Sequence, residues 1–164
     1  MKLDIQKAKK FIGKSFEVNM AFQMPANIFL NYNVSPLGAL TLTGTYMFET
    51  DEILKTNLVA EIFLDASCYR CGKSFVYNYK FKVNEIFTNN PTEDEYKLGN
   101  TEIDLMQPVI DNFITQFPSQ ILCNENCLGV CAYCGTNLNE KKCDCAKKVE
   151  EDTSNPFYVL KHLK

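Results

Sequence analysis

The chemistry of this chain rests on eight cysteines. Six stand in the stretch CNENCLGVCAYCGTNLNEKKCDC, residues 123–145, and two in CYRC, residues 68–71. A thiolate is a soft ligand, tetrahedral zinc takes four of them, and a CxxC pair can reach one ion because the residues between form a tight knuckle. Cys68 with Cys71 and Cys131 with Cys134 are such pairs. Each is followed by glycine, Gly72 or Gly135, which lets the backbone turn its amides toward the sulfurs. Cys123 with Cys127 (CxxxC) and Cys143 with Cys145 (CxC) complete a set large enough for two closed four-cysteine sites. Spacing leaves two pairings open. A ribbon-like scheme joins the two knuckles around one ion, whereas a sequential scheme joins Cys68 and Cys71 with Cys123 and Cys127, leaving Cys131, Cys134, Cys143 and Cys145 for the second. The sequential scheme needs less threading of one loop through another. In either scheme the expected role is structural, because a closed site turns metal binding directly into folding free energy.

Other uses of clustered thiols fit less well. The opening MKLDIQKAKKFIGKSF has lysines but neither an apolar core nor a small-residue cleavage site, so a cytoplasmic location is expected, where cysteines stay reduced. An iron–sulfur cluster is the alternative that a four-cysteine set leaves standing. Thioredoxin-like chemistry would place CxxC at the start of a helix, and CYRC falls between two strand patterns. The single histidine is His162, the zinc-deaminase pattern does not occur, and there is no phosphate-binding glycine loop. A non-enzymatic protein is therefore expected.

Hydrophobic residues make up 46% and charged residues 23% of the sequence, and no apolar run is long enough to span a bilayer. The formal net charge is -3; eight thiolates and two zinc ions would take it to about -7, which argues against a general polyanion binder. Local basic surface is still available. Lys7, Lys9, Lys10 and Lys14 crowd the first residues, and Arg70 and Lys73 flank the first knuckle. These six are the candidate phosphate contacts on RNA, set against the simpler reading of a solvated charged face.

The elements that must position these groups are legible as periodicity. Leu40, Leu42, Tyr46 and Phe48 alternate with threonines in GALTLTGTYMFE; Leu58, Ala60, Ile62 and Leu64 alternate in TNLVAEIFLDAS; Phe75, Tyr77, Tyr79, Phe81 and Val83 alternate in SFVYNYKFKVNEIF. Three such strands predict an antiparallel meander with one wet face, and Glu17 to Phe22 a further strand. The aromatic series on the third strand reads as core and not as a base-stacking platform. NNPTEDEYKLGN reads as a loop. Met106, Val109, Ile110, Phe113, Ile114 and Phe117 then follow helical spacing, with Pro108 tolerable in the first turn and Pro118 closing the element. The expected fold is α+β: an antiparallel β meander with one packed amphipathic helix and a zinc-stapled cysteine-rich C-terminal segment. Its divisions are a sheet-and-helix domain over 1–122 that contains the first CxxC, a metal-binding segment over 123–145, and a charged link with a C-terminal amphipathic turn over 146–164.

Four motifs in order, CYRCGKSF, EIDLMQPVIDNFITQFP, LCNENCLGVCAYCGTNLNEKKCDC and NPFYVLKHL, resemble the YceD family of large ribosomal RNA subunit accumulation proteins over roughly residues 35–164. In that family CxRC corresponds to Cys68 and Cys71, and GLCxxCGxNLN to Gly129 through Asn139, with Val130 here in place of the usual leucine. The resemblance implies a small cytoplasmic protein needed for accumulation or processing of large-subunit ribosomal RNA, with precursor RNA or a large-subunit assembly intermediate as partner, or a protein assembly factor or nuclease. It brings no catalytic residue. Some family members lack much of the second cysteine group, which implies a stabilising role for it. Two alternatives stand beside this reading: a protein adaptor that docks through Phe157, Leu160 and Leu163 without touching RNA, and a metal- or redox-responsive thiol protein.

Overall fold

In a computed structural model the chain is described over residues 1–145. Its elements in order are β1 (Lys2–Asp4), α1 (Gln6–Lys9), β2 (Phe16–Phe22), a 3-10 turn (Ala26–Phe29), β3 (Val34–Pro36), β4 (Leu40–Phe48), β5 (Ile53–Ser67), β6 (Ser74–Val83), β7 (Ile86–Thr88), β8 (Tyr96–Lys97), β9 (Glu102–Asp104) and α2 (Met106–Gln116). They divide into two compact units. One comprises Met1–Ala66 with Phe75–Ser119; the other comprises Ser67–Ser74 with the chain from Gln120 onward.

The first unit is organised by β5. Its even-numbered side chains from Leu54 to Ala66 are all buried, so the period-two pattern runs without interruption through the strand and continues in phase to the buried Cys68. β4 pairs antiparallel with β5 over Thr41 to Phe48, and β2 pairs antiparallel with β4 from Phe16–Tyr46 to Phe22–Leu40. β3 and β7 also pair antiparallel with β5, and β6 pairs with it as well. Leu54 is thus flanked on both sides by phenylalanine, Phe48 and Phe87, and all three are excluded from solvent. The expected meander β4–β5–β6 is present inside a seven-stranded sheet.

The short strands carry no periodicity of their own. β8 lies inside the stretch that reads as a loop and runs parallel to β7, while β1 and β9 form a separate two-stranded antiparallel sheet. Where β6 gives way to β7, Thr56, the buried polar residue of the described core, accepts a hydrogen bond from Glu85 N (2.9 Å) and lies 3.3 Å from the Val83 and Glu85 carbonyls. Its hydroxyl satisfies backbone that the change of strand leaves without a ladder partner.

α2 packs on this sheet as its periodicity predicts, through a narrower face. Val109 and Phe113 are fully buried, whereas Ile114 is 48% exposed. Pro108 occupies the first turn, where its missing N–H costs no intrahelical bond. Phe113 lies against Tyr79 (5.5 Å), Phe81 (5.8 Å), Phe29 (5.4 Å) and Tyr32 (5.8 Å) with edge-on ring geometry. Gln116 closes the helix on the sheet: its Nε2 donates to Lys82 O (2.8 Å) and its Oε1 accepts from Lys82 N (3.2 Å), as a neighbouring strand would.

Two substitutions follow from this packing. Phe113→Ala removes the shared partner of these four rings and of Phe117, and should cost about 3–5 kcal/mol of unfolding free energy. Gly44 has φ +140°, and a Cβ there would sit 2.3 Å from the Asn57 carbonyl oxygen in β5, so Gly44→Ala should cost about 3 kcal/mol through strain and strand separation. Urea unfolding followed by circular dichroism should show lowered midpoints for both; an unchanged midpoint for either would contradict the packing described.

Candidate metal centres

All eight cysteines belong to the second unit, and they gather as two groups. Cys68, Cys71, Cys123 and Cys127 form the first; Cys131, Cys134, Cys143 and Cys145 form the second; within each, every sulfur lies within 4.8 Å of the others. This is the sequential arrangement. The turn Ser67–Ser74 therefore goes with the cysteine-rich segment, whereas a boundary at residue 122 keeps the first CxxC with the sheet. The physical reason is that Cys68 and Cys71 have their sulfur partners in Cys127 and Cys123, at 3.7 and 3.8 Å.

The two knuckles are built alike. In the first, Gly72 N donates to Cys68 O (2.9 Å) and Cys68 N to Lys73 O (2.9 Å); in the second, Gly135 N donates to Cys131 O (2.9 Å) and Cys131 N to Thr136 O (2.9 Å). Gly72 and Gly135 have φ +70° and +69° with open space where a Cβ would stand, so the left-handed backbone, and not crowding, demands glycine. Between the knuckles exposure alternates: Cys127, Gly129 and Cys131 are buried, and Leu128 and Val130 face out. Gly129 is φ +76°, and a Cβ on it would press on Arg70 O at 3.2 Å. Arg70 Nη1 donates to Cys127 O (3.0 Å), and Tyr69 N donates to Ile121 O (2.8 Å), fixing the first knuckle against the segment that supplies its other two sulfurs.

Without a cation between them, four such sulfurs compete for protons. Burial pushes the Cys68 thiol up, but the backbone N–H groups of Cys123, Cys71 and Arg70 outweigh it and bring it down to about 6. Burial, with the neighbouring Cys68, Cys71 and Cys127, pushes Cys123 up to about 12. The second group repeats the division. The Thr136 hydroxyl and N–H hold Cys134 down at about 6, with Sγ 3.1 Å from Thr136 Oγ1, and the interaction with Cys134 together with burial drives Cys145 up to about 12. Within each group ionisation of one sulfur is thus favoured at the expense of its neighbours, a competition that a positive charge among them would relieve.

A single tetrahedral ion with metal–sulfur bonds of about 2.3 Å sets its ligands about 3.8 Å apart. The 3.7 and 3.8 Å separations in the first group match that edge. A cluster of several irons would spread its sulfurs beyond it. Both groups could therefore hold a thiophilic ion, with four ligands each and no open coordination position.

The candidate RNA contacts divide between the two units. Lys7 and Lys9 lie on α1 and Lys10 and Lys14 in the turn after it, all exposed in the first unit; Arg70 and Lys73 are exposed in the second. Sequence reasoning missed the polar residues that serve the sulfurs, Thr136, Asn124 and Asn139. Asn124 Nδ2 stands 3.9 Å from Cys123 Sγ and Asn139 Nδ2 stands 3.4 Å from Cys127 Sγ. A polar residue two or five places after a CxxC pair, as Thr136 and Asn139 are, or directly beside a cysteine, as Asn124 is, is the signal that could have found them.

The profile of the large ribosomal RNA subunit accumulation protein YceD matches residues 57–164, a span that contains all eight cysteines. The chain belongs to the YceD family. Uncharacterised proteins of Mycobacterium tuberculosis and Mycobacterium bovis are 28% identical to it over 147 residues, 84% of this chain and 70% of theirs. A chloroplast protein of Arabidopsis thaliana, large ribosomal RNA subunit accumulation protein YCED homolog 1, is 33% identical over 60 residues, 37% of this chain and 19% of its own length. No solved structure matches. Among the described residues, no helix is long and apolar enough to cross a membrane.

Metal loading in this YceD-family chain should be coupled to proton release. Cys123 and Cys145 must give up protons held up to about 12, so affinity should rise with pH between 6 and 9, by about tenfold per pH unit for each proton displaced. Calorimetric titration in buffers of different ionisation enthalpy reads the number directly. Zero proton release at pH 7 would contradict the assignment of the ligands.

Proposed function

We propose that this protein supports the accumulation of large-subunit (23S) ribosomal RNA as a non-enzymatic cytoplasmic factor, held in shape by two zinc ions and bound to precursor RNA or a large-subunit assembly intermediate. The observation that carries the reading is the family match, whose span takes in both cysteine groups. Zinc is favoured by the all-sulfur ligand sets and by a ligand spacing suited to one tetrahedral ion in each. The eight cysteines would each bind one of the two ions, and the ion's contribution is to hold the thiolates together.

For the RNA contact, α1 and its turn offer Lys7, Lys9, Lys10 and Lys14, with no acidic residue in the first turn of the helix. Ile5 and Ala8, the buried positions of this segment, fix its inner side and leave the lysines outward. Arg70 and Lys73 add positive charge beside the first knuckle. A second reading, a protein adaptor, is favoured by Tyr69, Leu128 and Tyr133, which are 67%, 65% and 65% exposed. The C-terminal turn with Phe157, Leu160 and Leu163 lies outside the described residues.

Reversing the charge of Lys7, Lys9, Lys10 and Lys14 should weaken association with precursor RNA and reduce the salt slope by about one for each phosphate contact removed. Unchanged RNA binding with loss of a protein partner would favour the adaptor. In cells depleted of the protein, the ratio of large- to small-subunit ribosomal RNA should fall and be restored by the parent chain but not by Cys68→Ser with Cys71→Ser. An unchanged ratio on depletion would sink the proposal.

A further inference from the structure

We infer that the two metal centres are energetically coupled, and that Asn139 is the positioning residue through which the second centre protects the first. The inference rests on the reading of the two cysteine groups as metal centres.

Asn139 belongs by sequence to the second centre. It lies in the eight-residue segment between Cys134 and Cys143, both members of the second group, so an ion there pins this segment at its two ends. Its side chain nevertheless serves the first group: Nδ2 donates to Cys127 Sγ (3.4 Å), and Oδ1 accepts from Leu128 N (2.8 Å), the amide next to that ligand. Asn137 orients it, because Asn137 Oδ1 accepts from both Asn139 N (3.1 Å) and Asn139 Nδ2 (2.8 Å). The segment is tied to the chain that joins Cys127 to Cys131 by Leu138 N to Gly129 O (2.9 Å) and by the isolated antiparallel bridge of Val130 with Asn137. A continuous chain of contacts therefore runs from the second group's ligands through residues 135–142 to one sulfur of the first.

The chemistry gives this contact weight. Four thiolates around one divalent ion carry a net double negative charge, and each N–H directed at a sulfur withdraws part of it. A sulfur without that donor is a better nucleophile and is released more readily to a competing proton, chelator or electrophile. Cys127 is only 2% exposed, so water cannot replace the amide freely. Releasing the second ion frees both ends of the segment and takes the donor away from Cys127. Loss of the second metal should thus unlock the first, whereas a first centre standing alone would be indifferent to it.

The test uses the full-length zinc-loaded protein. Bound zinc is counted first, then the protein is exposed to a chelator with N-ethylmaleimide, and modification of each cysteine is followed by peptide mass spectrometry. Three variants are compared with the parent: Asn139→Leu, which removes donor and acceptor; Asn139→Asp, which keeps the acceptor and removes the donor; and Cys134→Ser with Cys145→Ser, which empties the second centre. Modification of Cys68, Cys71, Cys123 and Cys127 should accelerate at least about tenfold in each, the usual scale for losing a partner of a metal ligand. Combining Asn139→Asp with the double serine change should add nothing further, because both act through one contact. If Asn139→Leu does not fold, Asn139→Asp and the double serine variant still give the answer. First-centre rates equal to the parent's in either of these would overturn the coupling. Fewer than two zinc ions in the parent would instead reject the metal reading on which it rests.

Discussion

Sulfurs packed within 4.8 Å of one another cannot all be anions unless a cation lies among them, and the second unit depends on that constraint. Among its described residues the buried apolar side chains are Cys68, Cys127, Cys131 and Ile121. Ile121 is the one that is not a ligand candidate. The little aliphatic packing among the described residues does not by itself offset the entropy of ordering this chain, and small modules of this kind rely on cross-links or metal. Among the described residues, cysteines are three of this unit's four buried apolar side chains. This explains why the backbone around them is so heavily specified, with three left-handed glycines, two knuckles of the same hydrogen-bond pattern and a run of side-chain amides directed at sulfur or at ligand-adjacent N–H groups.

The first unit is stabilised on a different basis. β5 buries one side chain in two along its whole length, β4 and β6 meet it with the same period, and α2 covers Tyr79 and Phe81 of β6 through Phe113, while Phe75 and Tyr77 stay half-buried. Nothing in this core asks for a metal. The chain thus combines an ordinary hydrophobic sheet domain with a unit whose cysteines could hold metal, and along the chain Ser67–Ser74, which carries the first knuckle, connects β5 to β6.

Long elements were legible in the sequence because their periodicity is long. The alternation at Leu40 to Phe48, Leu58 to Leu64 and Phe75 to Val83, and the helical spacing from Met106, all correspond to elements at nearly the expected bounds. β1, β3, β7, β8 and β9 were not legible, since two or three residues cannot display a period and their pairing is set by what the long strands leave exposed. The cysteines announced themselves by type and spacing, yet their grouping did not follow from spacing; it follows from the knuckle contacts of Tyr69 and Arg70 with Ile121 and Cys127. Asn139 and Thr136 stayed hidden because an amide or hydroxyl that bonds a sulfur looks like any other polar residue in a loop. The lysines were visible as charge, but that Arg70 and Lys73 sit in the other unit was not.

We propose that each group of four sulfurs binds one ion and that these ions complete the core of the module. X-ray absorption at the metal edge of the purified full-length protein tests it most directly. A single shell of four sulfurs at about 2.3 Å around the metal, the same for both centres, with no metal–metal distance, is the expected result. A mixed shell containing nitrogen or oxygen, or scattering from a second metal nearby, would contradict it.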